Sequence, residues 1–568
     1  MTDTTTTTTM MMTRLRGALG AASLLALLSL LALGAGACGG VGPEVPKDTA
    51  SGGDTAIADT STGTDTVASD VTDTVGDDDT AADTVSPGDT GGADTSGGDE
   101  VYGPVAPPDD VVPPALQGQT WVDHWTTDIA PYWTMSAALG SPAGNYPTYR
   151  DMNGNATGST KRRPRMLSRQ IYAYSMGYAL TGDTSLLAHA KAGVDWLIGH
   201  AIDKEKGGCF EQLNADGSAV AGQRPVQDFE YCMMGLGAWF FVTRDPAAEA
   251  ELLRARDLIF DPAVYWDATK GRVKDGLADD MATEIDVEND GGSELVAQLD
   301  AVNAFMLLVQ PVLTDPSDRQ RFLASLRTLG DVMVRDFHQD GLFWGVSTNK
   351  GKYGTKHVDF GHILKSFWML LEVDKRVASH PFHELVMDEV YAVVDRAWDS
   401  ANGRWAKRPT SATAVEYGSD WWIYAEEDQI AGVLDLIDWR FLDRRAQTQA
   451  HWLEDYVDDV YAGEIISGIK RDGSPVWGWP ATDTAKCNEW KNGFHSTEHA
   501  LIMAILGFNL EGKDVPLHFA VPTADAGTFI ATPYLFHGTE VAREPAAASV
   551  TVGDLTLTPV TVKFRDIW

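Results

Sequence analysis

The chain has 568 residues, 44% of them hydrophobic, with 81 Asp plus Glu against 44 Lys plus Arg and a formal net charge of −37. That length excludes a single small fold, and the acidic balance lacks the electrostatic footprint that nucleic acid or an anionic lipid surface requires of a partner. Eighteen Trp supply flat apolar faces of the kind that stack on sugar rings, so carbohydrate is the ligand class that composition favours.

At the N-terminus Arg14 and Arg16 precede an apolar run from about Ala18 to Leu33, followed by Ala35-Gly36-Ala37-Cys38-Gly39-Gly40, a secretory signal pattern. Small residues directly before Cys38 resemble a bacterial lipobox, in which the Cys is lipidated and becomes the mature N-terminus. Residues 1–38 are thus expected to be a lipoprotein signal peptide with Cys38 as its lipidation site, an ordinary signal peptide with an incidental Cys being the alternative. Glycine rather than aspartate after Cys38 points to the outer membrane of a Gram-negative envelope. The protein is expected to be exported and to meet the membrane through that anchor alone.

Residues 39–112 are rich in Asp, Thr, Gly, Ser and Ala, and between 41 and 110 Lys47 stands against seventeen acidic residues. Such a stretch cannot bury enough apolar surface to offset its chain entropy and is expected to be a disordered, self-repelling linker. Beyond Cys38 only Cys209, Cys232 and Cys487 remain, so at most one disulfide can form, and buried free thiols are the simpler expectation.

From Trp121 to about Leu510 apolar residues recur at helical spacing in about twelve segments, beginning near Trp121, Met166, Thr184, Gln227, Ala247, Glu294, Ser317, Val358, Phe382, Trp421, Asp443 and His495. Short turns follow the even-numbered segments, as in Thr181-Gly182-Asp183, Arg244-Asp245-Pro246 and Thr314-Asp315-Pro316, where Asp can cap and Pro can open the next helix. Longer connections carry Gly, aromatics and short strand-like runs, such as Gly341-Leu342-Phe343-Trp344 and Gly403-Arg404-Trp405. Polar or aromatic clusters mark the starts of the even segments at Arg169, Glu230, Asn303, His362, Glu426 and His495, about 65 residues apart, which is one helical hairpin plus a loop. Six such hairpins predict an all-α (α/α)6 barrel over residues 113–512, its even helices lining the inside and its polar clusters gathered at one mouth. A linear solenoid is the competing architecture. After Leu510 the pattern turns to alternation, as in Thr551–Leu557 and Val560–Phe564, predicting a small β appendage over 513–568.

His362 and His495 fall two repeats apart, which in a ring places them across one cavity. Two imidazoles suit a two-base proton transfer, because histidine holds either protonation state near neutral pH. Arg169 has the charge to stabilise an oxyanion and completes the expected catalytic set. The expected substrate-binding set is Glu230, Asn303, Trp421, Trp422, Glu426, Lys365 and His499, with the two Trp as a stacking wall. His495 and His499, with Glu498 between them, lack a clear third ligand, so no metal is expected. The acidic run Asp286–Gly291 imitates the start of a calcium loop but has Ala297 at position twelve. No phosphate-cradling glycine loop is present, so no cofactor is expected.

Five motifs, in order, resemble the N-acylglucosamine 2-epimerase superfamily, which includes cellobiose 2-epimerases and mannose isomerases. They are Ser168-Arg169-Gln170-Ile171-Tyr172, Gly207-Gly208-Cys209-Phe210 with Asp216-Gly217, Gly361-His362, Trp421-Trp422-Ile423-Tyr424-Ala425-Glu426, and Trp490-Lys491-Asn492-Gly493-Phe494-His495. The resemblance covers about residues 118 to 510. It implies that His362 and His495 act as general acid and base on an opened sugar, passing through a cis-enediolate whose oxygen Arg169 neutralises, without metal or nucleotide. The chain departs from the pattern at Lys365, where the family has Glu, at Phe229, where it has Tyr, and at Asn303-Ala304-Phe305-Met306, which lacks the extra His of cellobiose epimerases. These departures favour a monosaccharide isomerase or epimerase over a disaccharide enzyme. Two other readings stand beside it: a glycoside hydrolase using a carboxylate pair from Asp359, Glu426, Asp428 and Glu498, and a sugar-binding lipoprotein that has lost catalysis. Oligomeric state is not written in the sequence.

Overall fold

The structure is a computed structural model that describes residues 101–285, 291–478 and 485–568. The signal and lipidation segment, most of the acidic linker and Asp286–Asp290 of the calcium-loop-like run lie outside the described residues.

Twelve helices build a double-layered toroid. In chain order they are α1 (Gly118–His124), α2 (Pro164–Thr181), α3 (Ser185–Trp196), α4 (Val226–Thr243), α5 (Pro246–Ile259), α6 (Val296–Ala301), α7 (Pro316–Val332), α8 (Phe360–Arg376), α9 (His383–Ala397), α10 (Trp421–Asp438), α11 (Leu442–His451) and α12 (Phe494–Leu510). Turns of wider, π type extend several of them, including α1 through Ile129 and α6 through Met306. The even helices form the inner layer and the odd ones the outer. Burial separates the two layers: every residue of α2 from Pro164 to Leu180 is buried, whereas α7 buries only a stripe through Phe322, Leu326, Leu329 and Val332. A helix buried all round belongs inside a core, and a striped one on its surface.

The short turns work as capping chemistry. The Asp245 carboxylate accepts from the Ala247 amide and Asp315 from Ser317, with Pro246 and Pro316 opening their helices. Longer connections fold as two-residue hairpins, for example His338–Gln339 with Leu342–Phe343 and Trp398–Asp399 with Arg404–Trp405.

The ring is closed by its two ends. No chain connection joins α1 to α12, yet they form the sixth hairpin, and α12 also packs on α2 and α10. A Cβ on Gly507 would lie 2.5 Å from the Gly118 nitrogen, so only glycine lets the two backbones approach this closely. The Trp125 indole N–H donates to Thr497 Oγ1 at 3.2 Å across the same seam.

Beyond α12 four antiparallel strands, β1 (Val515–Pro522), β2 (Thr539–Pro545), β3 (Val550–Val552) and β4 (Leu555–Arg565), form a sheet in which β4 lies between β1 and β2 and also pairs with β3. β1 covers the end of the barrel where the inner helices finish. The Tyr178 hydroxyl near the end of α2 donates to the Phe519 carbonyl at 2.8 Å, and Phe241 at the end of α4 packs on the Phe519 ring. The β1–β2 connection enters the same opening, with Tyr534, Leu535 and Phe536 all buried.

Cysteine usage differs from the expectation of free thiols. Cys209 bridges back to Ile202, which carries it against α4, where it forms a disulfide with Cys232; Cys487 is free and buried.

Among the buried ion pairs, Arg445 Nη1 of α11 lies 2.9 Å from Asp435 Oδ2 of α10, both side chains almost fully enclosed. Arg445→Leu leaves that carboxylate uncompensated. It is expected to cost about 3–5 kcal/mol of stability, read as a lowered urea midpoint; a loss below about 1 kcal/mol would show that the pair does not tie the layers together.

Candidate active site

A cavity of about 320 Å³ opens where the inner helices begin, within the size range of small-molecule sites. All six inner helices line it: Arg165 and Arg169 from α2, Gln227 and Tyr231 from α4, Asp300 from α6, His362 and Lys365 from α8, Trp421 and Trp422 from α10, and His495 from α12. A more polar recess of about 460 Å³ adjoins it and shares Arg165, Gln227, Glu294, Lys356 and Trp490.

Helix starts position the two histidines. Asp359 caps α8 by accepting the His362 amide on Oδ1 at 2.9 Å, and its Oδ2 holds His362 Nδ1 at 2.8 Å. One carboxylate therefore ends the helix and orients the ring. The glycine before His362 has a packing role: a Cβ on Gly361 would lie 2.6 Å from Trp422 Cζ3. Trp422 can then stand between the imidazoles, its ring centroid 4.8 Å from that of His362 and 6.0 Å from that of His495. On the facing side the Arg169 guanidinium lies 3.7 Å from the centre of the Tyr231 ring.

The histidines differ electrostatically. Burial penalises the His362 imidazolium, but the charge and hydrogen bond of Asp359 outweigh it and raise the pKa above the ordinary histidine value. His495 is held down to about 3, by burial first, with Lys365 and Arg169 adding to the effect and Glu426 opposing it. Its Nδ1 lies 3.4 Å from Glu426 Oε1, in an orientation that leaves the nitrogen without a hydrogen bond. One imidazole is thus biased toward its charged form by Asp359, while the other is neutral near neutral pH.

Beneath the cavity Lys365 Nζ forms an ion pair with Glu426 Oε1 at 2.7 Å, both groups buried. Burial would raise the Glu426 pKa, but the Lys365 ammonium foremost holds it below the ordinary value. Lys365, a charge reversal in the sequence, is thereby neutralised within the site. Glu426, His495 and Glu498 each point one donor atom into a space 4.8 Å across, a geometry that could hold a cation. The Lys365 ammonium already supplies the positive charge there, and the cluster reads as an ion-pair network.

Among the expected binding residues, Trp421, Trp422 and Lys365 line the cavity and Glu426 lies directly beneath it. Glu230, Asn303 and His499 do not line it. At 100° per residue, a helix that turns Tyr231 inward directs Glu230 into the wall, while Asn303, three residues beyond Asp300, lies about a turn deeper in the π-type extension of α6. Glu230 is buried with neither oxygen hydrogen-bonded, and burial, then the Asp300 and Asp275 charges, raise its pKa well above the carboxylate range. His499 Nε2 lies 3.1 Å from Asp428 Oδ2, with its ring packed on Trp121 and Trp452, so it belongs to the barrel wall. Among the residues missed from sequence are Tyr231, Asp300 and His357, while Asp359, expected only as a hydrolase carboxylate, instead orients His362. Asp300 accepts from Gln227 Nε2 at 2.8 Å and the Tyr231 hydroxyl at 2.9 Å; His357 packs on His362 with ring centroids 4.7 Å apart. The i, i+4 pair Gln227 and Tyr231 repeats the spacing of Arg165 and Arg169, a signal present in the sequence. Phe229 stacks on Tyr265 instead, and Tyr231 is the tyrosine of α4 that lines the cavity. Of the carboxylates a hydrolase would need, Asp359 alone lines the cavity among Asp359, Glu426, Asp428 and Glu498, and both histidines face it.

The chain matches the family model of N-acylglucosamine 2-epimerase (GlcNAc 2-epimerase) over residues 144–476, ending before α12 and the sheet. It is 23% identical over 397 residues to a cellobiose 2-epimerase of Bacteroides fragilis, spanning 65% of this chain and 94% of that relative. A solved cellobiose 2-epimerase from Spirochaeta thermophila superposes with a TM-score of 0.59 at 16% identity, covering 68% of this chain and 96% of its own. A D-mannose isomerase does so at 0.57 and 14% identity, covering 68% and 97%. Those likenesses show the (α/α)6 barrel fold.

Asp359→Asn removes the charge that sustains the His362 imidazolium. In ring-nitrogen NMR titrations His362 is expected to titrate above 6.5 in the wild type and below it in the variant, with His495 neutral throughout the neutral range. Unchanged His362 titration would show that Asp359 acts only as a helix cap.

Proposed function

Because this chain belongs to the N-acylglucosamine 2-epimerase family, we propose that its cavity interconverts sugars by proton transfer at C1 and C2 through a cis-enediolate. The substrate is a sugar of the glucose, mannose, fructose or N-acylglucosamine kind in its opened form. The observation that carries this reading is the pair of imidazoles flanking Trp422 in one cavity, one inclined to be charged and the other neutral.

The neutral His495 ring takes the proton from C2. The C–H electron pair moves into the C1–C2 bond, and charge gathers on the former carbonyl oxygen, where Arg169 opposes it. The low proton affinity of His495 belongs to the empty site, where burial and the Lys365 and Arg169 cations disfavour a further positive charge. A negative enediolate beside the ring offsets those cations. His362, charged against Asp359, serves as the acid. Return of a proton to the opposite face of C2 gives the epimer. Delivery to C1, with the O2 proton passing to O1 as C2–O2 becomes the carbonyl, gives the ketose. Every step uses side chains already in place, so the proposed reaction calls for no cofactor.

Tyr231, Gln227 and Asp300 form a hydrogen-bonded patch suited to sugar hydroxyls, and Trp421 and Trp422 give the apolar face. The signal-like run and Cys38 support export and lipid anchoring in the bacterial envelope.

Proton NMR in D₂O with glucose, mannose, fructose, N-acetylglucosamine and cellobiose tests the proposal by following loss of the C2 proton of the aldoses, or of a C1 proton of fructose, and the sugars formed. His495→Ala and His362→Ala are each expected to lower exchange about 10²–10⁴-fold. Folded wild-type protein that exchanges no proton with any of these sugars would overturn the mechanism for them.

A further inference from the structure

The carboxyl of Glu498 has no role in the proton transfer described, yet it is fully enclosed and lies within 4.8 Å of Glu426 and His495. It sits one turn deeper than His495 on α12. Its Oε1 accepts the Tyr534 hydroxyl at 2.6 Å, and that hydroxyl lies 2.8 Å from the Tyr172 hydroxyl of α2. Tyr534 comes from the β1–β2 connection of the C-terminal sheet, whose chain enters the open end of the barrel. Arg376 of α8 donates to the Leu535 carbonyl at 2.6 Å and helps hold the connection there. A side chain from outside the twelve helices thus reaches the acid–base cluster from below.

We infer that Tyr534 is a positioning residue: by hydrogen-bonding Glu498, the C-terminal sheet sets the charge of the buried cluster on which His495 acts. The inference rests on the proton-transfer reading of the cavity. Four groups face Glu498 from neighbouring elements: Glu426 from α10, Lys365 from α8, Tyr172 from α2 and Tyr534 itself; His495 lies on its own helix. Lys365 can balance one carboxylate, and Glu426 already holds it at 2.7 Å. An ionised Glu498 is then a second negative charge in a closed space, tolerated only with donors aimed at it. Burial, then the Glu426 charge, push the Glu498 pKa up to about 7, while Lys365 and the Tyr534 hydroxyl pull it down. As pH rises through that point the cluster gains a negative charge beside His495, which increases the proton affinity of the ring. Tyr534 therefore sets the pH at which the base strengthens.

Three variants of the whole protein, with carboxyl-labelled Glu read by carbon NMR, test this. The resonance lost in Glu498→Gln is expected to titrate near neutrality in the wild type and about one pH unit higher in Tyr534→Phe, because the carboxylate loses a donor. Tyr178→Phe removes the other hydroxyl that ties the sheet to α2, at a distance from the cluster, and is expected to leave that titration and the activity unchanged. With mannose and glucose as substrates, the pH profile of kcat should move with the resonance in Tyr534→Phe while KM changes less than about twofold. An unmoved Glu498 titration in Tyr534→Phe, or an equal shift in Tyr178→Phe, overturns the inference. Wild-type protein that exchanges no sugar proton while the resonance shifts as expected would remove the proposed reaction and leave the Tyr534–Glu498 coupling standing. Active protein with an unmoved resonance would do the reverse.

Discussion

Everything the cavity does depends on a contact that the chain connection does not enforce, the pairing of α1 with α12. Ten of the helices come as covalent hairpins that could stack in a line. The remaining two are distant in sequence and must find each other for the line to become a ring. Their backbones meet at Gly118 and Gly507, where a single Cβ would separate them. With the seam shut, His495 on α12 stands beside α2 and α10, so that Arg169, Trp422 and His495 share one space. With the seam open, α12 would lose two of its three walls and the cavity one of its histidines.

Inside the ring the governing problem is charge held away from bulk solvent. The solution alternates ionised and neutral groups. Lys365 and Glu426 form a charged pair, Asp359 biases His362 toward its imidazolium, while His495 is neutral and Glu230 favours its protonated form. Isolated buried charges are expensive and paired ones tolerable, so substitutions in such a cluster act on partners as much as on the residue replaced. Lys365 illustrates this. In sequence it looks like a disruption beside His362, and in space it is the counter-ion that keeps Glu426 ionised beneath His495.

The architecture was legible because it is written in periodicities and caps. Apolar residues at helical spacing, Asp-Pro openings at Asp245 and Asp315 and a spacing of about 65 residues together point to six hairpins. The site was legible only to the accuracy of a helix start. Arg169, His362, Trp421, Trp422 and His495 reach the cavity, but choosing Glu230 over Tyr231 misplaces a side chain by 100°, and choosing Asn303 over Asp300 places it about a turn deeper. His499 shows the opposite limit. Four residues beyond His495 it shares roughly the same face but lies a turn deeper, where the neighbour is Asp428 rather than open space. Contacts between distant segments, such as Cys209 with Cys232 and Tyr534 with Glu498, leave no periodic trace and need coordinates.

The plug formed by Tyr534, Leu535 and Phe536 makes the barrel a blind well rather than a tunnel. Whatever enters must leave by the way it came, so product departure has to precede the next arrival and the two compete for one passage. A blind well also cannot be threaded. No chain can pass from mouth to base, so whatever is bound is presented from the mouth side alone. The sheet at the base of the barrel thus confines molecular traffic to the far end.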